Sequence, residues 1–169
     1  MIGRAPDSRS DGSARYAGVN PAIASAAVAV CALAFFRVWV VFSADLGGPA
    51  QIGLSGVELT QQIGRGAIWR FAVPAGLVLI LLLSFLRLFA KSRTGKLVFA
   101  LSLPVISLAL GAWPFGAMGR ILARLRVTSK NPGMTLSAWF WMYCLGLVVI
   151  MIIGAVELVG SLQETKTAR

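Results

Sequence analysis

Histidine is missing from the chain, and only two cysteines and six acidic residues occur in its 169 positions. Without histidine there is no His-ligated haem, no usual zinc site and no Ser-His-Asp or Cys-His constellation. Cys31 and Cys144 both fall inside apolar runs. They read as small buried hydrophobes, not as a disulfide framework or a metal motif. The glycines match neither the spacing of a phosphate loop nor that of a dinucleotide fingerprint. These absences leave no catalytic residue, no metal ligand and no cofactor site to name, so the sequence points away from an enzyme. Charged residues make up 13% of the chain, about half the roughly 25% of a soluble protein. That is too few to clothe a soluble surface.

Apolar length is what the chain has in quantity, with 57% hydrophobic residues. The most telling stretch is a pair of long apolar runs, residues 67–90 and 97–118, joined by a basic hinge that holds Lys91, Arg93 and Lys96. Two such runs back to back read as a membrane hairpin, since a hydrocarbon core of about 30 Å takes about 20 helical residues. A run at 21–43 and another at 136–160 complete a set of four spans. Residues 1–20 are rich in Gly, Ser and Arg and read as a disordered segment ahead of an uncleaved signal anchor. Residues 161–169 form a short polar tail.

The connection at 44–66 has its own signals. Gly47-Gly48-Pro49 marks a turn, 51–54 an extended stretch, and Ser55-Gly56-Val57-Glu58 matches a capping box at the head of a short helix ending by Gly64. It reads as a structured loop. Pro74 in the second span marks a kink. After the third span, Ile121, Leu122 and Leu125 recur at helical spacing among Arg120, Arg124 and Arg126, a pattern that suits a helix lying flat on the membrane surface.

The net charge of +10 lies between and beside the apolar runs. It therefore points to anionic lipid and to topology, not to nucleic acid. With four spans, both termini share a face with nine basic residues and the opposite face carries six, so the termini are expected in the cytoplasm. Making the third run re-entrant balances the charge better. Against that, Trp39, Trp69, Trp113, Trp139 and Trp141 all fall on one face of the four-span arrangement, as interfacial anchors would.

A short cytoplasmic N-terminus, one span, a structured extracytoplasmic loop and three further spans together resemble the claudin-type plan. The resemblance is one of topology and implies a four-helix membrane bundle. Residues 44–66 contain neither a Trp nor a Cys pair, so no site residue carries over. The expected fold is all-α: four transmembrane helices with an ordered first extracytoplasmic loop. Twelve arginines against four lysines, with abundant Ala and Gly, fit a GC-rich bacterial genome and hence a multi-pass protein of the bacterial cytoplasmic membrane.

Arg37 and Glu157 are the charges expected inside spans, where ionisable groups are functional candidates. Asp45 or Glu58 in the loop is an expected partner for Arg37, and Arg87, Lys91 and Arg93 are expected at the depth of Glu157. Arg65, Arg70, Arg120, Arg124 and Arg126 form an expected basic cluster on the extracytoplasmic face, suited to lipid phosphates or an acidic partner. The small residues at the start of span one, and Gly146 and Gly154 in span four, mark helix contact surfaces. The reading that fits is a non-catalytic accessory or assembly subunit of a larger bacterial membrane complex, whose partners are anionic lipids and other membrane subunits. The alternative is a small homo-oligomeric transporter or channel using Glu157 or Arg37.

Overall fold

In the computed structural model, residues 10–45, 49–63, 68–89, 93–129 and 131–167 are described. Five helices carry most of them. Chain order is α1 (Ser10–Phe35), β1 (Val38–Asp45), β2 (Pro49–Ser55), α2 (Gly56–Ile63), α3 (Ile68–Phe89), α4 (Arg93–Thr128), β3 (Gly133–Leu136) and α5 (Ala138–Thr167). The expectation of an all-α fold is corrected by the three strands, which form one antiparallel sheet in the order β2-β1-β3.

The four long helices close into a ring in which α1 and α4 each touch both α3 and α5. Two stretches, Thr94–Thr128 and Ala138–Gly160, are long and apolar enough to cross a membrane, while the apolar parts of α1 and α3, Ala22–Phe35 and Phe71–Leu86, are shorter. Small residues set the helix spacing. A side chain at Gly146 would meet Cys31 Sγ at 2.5 Å and the Ala27 carbonyl at 3.1 Å on α1. One at Gly154 would meet the Pro104 ring of α4 at 2.7 Å. The two glycines therefore seat α5 against different helices. Eight residues at 100° each leave them about 80° apart around the axis, and α5 fills the angle between α1 and α4. Both cysteines are free thiols, and Cys31 donates to the Tyr143 carbonyl at 3.5 Å.

The first span expected at 21–43 is corrected at both ends. Helix α1 begins at Ser10, inside the segment expected to be disordered, and stops at Phe35. Ser and Asp at its first two positions suit a helix start. At its end the Ala34 carbonyl accepts two bonds, from the Arg37 amide at 3.0 Å and from the Trp39 indole N–H at 2.6 Å. The chain then turns into strand because Val38-Trp39-Val40-Val41-Phe42 is a β-branched and aromatic run. A bulge between Val38 and Val40 lets Trp39 and Val40 both point inward. From there on, burial alternates along β1, the period of a half-buried strand.

Strand β1 is central. It pairs with β2 and, through Val40–Leu136 to Ser43–Gly133, with β3 from the connection between α4 and α5. Ser137 adds bonds from its amide to the Trp39 carbonyl and from its hydroxyl to the Val38 carbonyl. The expected turn at Gly47 and Gly48 lies outside the described residues.

Helix α4 is one continuous helix of 36 residues, about 54 Å at 1.5 Å per residue. The expectation of a separate surface-lying segment after residue 118 is thereby corrected. Ile121, Leu122 and Leu125 find apolar cover against the core instead, so the helix continues. Together with the sheet and α2, this extension forms a cap over one end of the bundle. Helix α5 likewise continues through Thr167, into the expected polar tail, where Gln163, Glu164 and Lys166 are good helix formers.

Pro114 sits inside α4 and has no N–H to give the carbonyl four residues back, Leu110. The Tyr143 hydroxyl of α5 supplies that bond at 3.1 Å, both groups being buried. Tyr143→Phe is expected to leave the Leu110 carbonyl unsatisfied and to cost about 1–3 kcal/mol. In a Pro114→Ala background, where the backbone N–H is restored, the same change is expected to cost less than about 0.5 kcal/mol, within the range of a change that breaks nothing. Unfolding of the four proteins of this cycle in detergent measures the difference, and an equal cost in both backgrounds contradicts the coupling.

Candidate functional site

The cap end of the bundle is organised by aromatic rings. Trp39 is fully buried and packs against Phe35, Trp113, Phe140 and Tyr143, with ring centroids 4.5 to 5.9 Å apart. An interfacial anchor has to touch the interface, so the anchor expectation is corrected for Trp39. Trp113 is half-buried beside it, and its indole N–H, on the side of the Tyr143 hydroxyl, makes no well-formed hydrogen bond among the described residues. Trp139 and Trp141 are the exposed pair, at 38% and 58%. Trp69 lies in the first turn of α3, and its side chain is outside the described residues.

Beside this aromatic plate lies a cavity of about 360 Å³, lined by Thr60 of α2, Ala72 and Val73 of α3, and Ala109, Leu110, Trp113, Gly116 and Arg120 of α4. The lining is graded along α4. Ala109, Leu110 and Trp113 are apolar, Gly116 leaves open space where a side chain would stand, and Arg120 closes the series. Ala109 to Arg120 spans about 16 Å of helix. Arg120 folds back along its own helix, with Nε donating to the Gly116 carbonyl at 3.3 Å, its only hydrogen bond among the described residues. On the opposite wall the Thr60 hydroxyl donates to the Val57 carbonyl at 2.6 Å, which leaves its oxygen able to accept.

A second, smaller hollow of about 240 Å³ lies under the sheet, lined by Phe42, Ile52, Leu54, Gln62, Ile121, Arg124 and Leu125. Of the expected cluster of five arginines, Arg120 and Arg124 flank α2 at different hollows, whereas Arg126, on another face of α4, lines neither. Arg65 lies outside the described residues, and so does the side chain of Arg70.

Arg37, expected within span one, stands in the turn after α1 and is exposed, because the helix stops before it. It does not reach Glu58. Its guanidinium lies 5.4 Å from the centre of the Trp139 ring, a cation–π contact. Asp45, its other expected partner, has a side chain outside the described residues. Glu157 is buried, at 8% exposed, toward the far end of α5. Its expected neighbours Arg87, Lys91 and Arg93 have side chains outside the described residues.

Sequence reasoning missed the cavity because its liners are ordinary apolar residues from three elements. The one available signal was the pair Gly116 and Arg120, one turn apart, at the end of an apolar run. Comparison with protein-family models and with curated proteins finds no match.

Helix α2 forms one wall of both hollows, and the capping box holds its first turn. Ser55 donates its amide at 2.7 Å and its hydroxyl at 2.9 Å to Glu58 Oε2, and the Glu58 amide donates to Ser55 Oγ at 3.3 Å. These donated bonds hold the Glu58 carboxyl below the usual carboxylate range. A depressed folded pKa means that the capping contribution is fully present above the unfolded value, about 4.3. It is lost as pH falls through the lower folded value. Amide-exchange protection factors in α2 are expected to drop below about pH 4 in the wild type and to stay level in Glu58→Gln. The same acid-induced drop in both proteins contradicts the assignment.

Proposed function

We propose that this chain is a four-span protein of the bacterial cytoplasmic membrane, with both termini cytoplasmic, and that it serves as a non-catalytic accessory or assembly subunit of a larger complex. The membrane part of this reading is supported by the outward faces of the ring. Leu33 on α1, Val78 and Leu82 on α3, Leu101 and Val105 on α4, and Leu145, Ile152 and Val156 on α5 are all large, apolar and exposed. A belt of that extent calls for lipid or protein around it. Helices α1 and α3 lie in the same ring as the two helices long enough to cross, so a membrane that holds two of the four holds the others. The unbroken course of α4 also favours a crossing over a re-entrant third run, which needs a reversal.

The observation that carries the accessory reading is the cap. It is an extension built from segments far apart in sequence, and it presents Arg120, Arg124 and Arg126 on a helix that outreaches the bundle. Such a platform suits recognition of an anionic surface. The alternative, a small homo-oligomeric transporter or channel using Glu157 or Arg37, gains nothing from a joint path between the two. Arg37 rests on Trp139, and from Trp139 to Glu157 is about 27 Å along α5. The interior between them is filled by Leu147, Ile150, Leu103 and Ile80, each at most 4% exposed.

Extraction of the native protein in mild detergent, followed by native-gel separation and mass spectrometry, tests the proposal. The chain of 17.9 kDa is expected to migrate in a much larger assembly containing other membrane proteins. Migration alone or as a small homo-oligomer overturns the accessory reading.

A further inference from the structure

We propose that the cavity between α2, α3 and α4 is a binding site for an anionic phospholipid of the surrounding bilayer, with the phosphate on Arg120 and the upper acyl chain against Trp113 and Leu110. Three observations carry it. The volume, about 360 Å³, is within the range of built ligand sites, roughly 300–1,000 Å³. The lining has one apolar end and one cationic end, in the order a lipid presents them. The only hydrogen bond of Arg120 among the described residues uses Nε, so the terminal guanidinium nitrogens are available for a phosphate.

The level within the molecule fits as well. Arg120 stands seven residues beyond Trp113, about 10 Å further along α4, and Trp113 belongs to the aromatic plate where the bundle ends. The apolar end of the cavity is therefore at bundle level and the cationic end at cap level. Ala72, Ala109, Gly116 and Arg120 are all exposed, so the cavity opens sideways, toward the space lipid occupies in a membrane. The inference rests on the membrane placement proposed above but not on a protein partner. A chain that runs alone on a native gel and still holds the lipid keeps it. A chain found in a large assembly that binds no lipid loses it.

The test is native mass spectrometry of the full chain in a neutral detergent, titrated with phosphatidylglycerol or phosphatidylcholine. The wild type is expected to hold one phosphatidylglycerol and to prefer it over phosphatidylcholine. Arg120→Gln is expected to weaken that binding about tenfold or more, the usual worth of a charge-assisted bond, while Arg126→Gln leaves it unchanged. Gly116→Leu places a side chain where nothing now stands within 4 Å of a Cβ and improves helix propensity. It is expected to abolish binding while leaving the unfolding temperature the same or higher. Should Arg120→Gln fail to fold, the Gly116→Leu comparison with both lipids decides alone.

Equal affinity for the two lipids, equal loss in Arg126→Gln, or full binding by Gly116→Leu overturns the proposal. So does displacement of the lipid by millimolar inorganic phosphate, which marks a site for a free anion. Binding of oleate without phosphatidylglycerol overturns it in favour of a fatty-acid site.

Discussion

Trp39 is placed where a four-helix arrangement has to become a sheet, and most of the molecule depends on how that ring is held. Its indole N–H closes the end of α1 by bonding the Ala34 carbonyl. Its backbone belongs to β1, and its carbonyl accepts from Ser137 just ahead of α5. Its ring touches α1, α4 and α5 through Phe35, Trp113, Phe140 and Tyr143. A single buried side chain thus fixes the exit angle of one helix, the start of another and the central strand of the sheet. The bulge beside it is what permits this. Without it, strict alternation would turn either Trp39 or Val40 outward. Gly56, at the head of α2, completes the packing, since a Cβ there would lie within 2.8 Å of Phe35 and of the Trp39 ring. Both the placement of α2 and the walls of the two hollows follow from the position of this indole.

The bond between Tyr143 and Leu110 acts one layer below. Proline inside a helix leaves a carbonyl without its donor, and in an apolar setting that group needs another partner. By taking the partner from α5, the chain turns a local defect of α4 into a tie between two helices, at the level where α4 passes from bundle to cap. The same stretch of α4 lines the cavity, so Leu110 serves both as an acceptor and as a wall.

Legibility in the sequence followed the range of the signal. The capping box of Ser55 and Glu58 is local, four residues long, and its hydrogen bonds are those the spacing implies. The bounds of α3 and the extended stretch before Ser55 are also local and come out close to expectation. The end of α1 was misread because hydropathy is blind to the difference between an apolar helix and an apolar strand. Val38 to Val41 raises both scores, and only the β-branched content distinguishes them. The course of α4 past residue 118 was misread because amphipathic spacing says that one face is covered but not by what. A sheet assembled from residues 38–55 and 133–136 supplied that cover. Gly146 and Gly154 were legible as contact positions. Which helix each meets was not, since that depends on the ring order of the bundle. The candidate cavity was illegible for the same reason: its walls come from three elements whose arrangement no local pattern encodes.

A cavity at this place is a consequence of the architecture and not an isolated irregularity. Below the aromatic plate, four helices of similar girth surround one another and fill their common interior, as the burial of Ile80, Leu103 and Ile150 attests. Above it, α1 has become a strand, α3 contributes only its first turns and α4 goes on, so the remaining space must be filled by shorter elements. The sheet covers one flank, and α2, with eight residues, covers another. A helix of two turns resting on two long neighbours cannot interdigitate along their full length, and close packing fails first where the facing residues are small. Those positions are Ala72, Ala109 and Gly116. A gap produced in this way is apolar below and, because Arg120 occupies the next turn of α4, cationic above. A bulky residue at any of the three positions would have closed it.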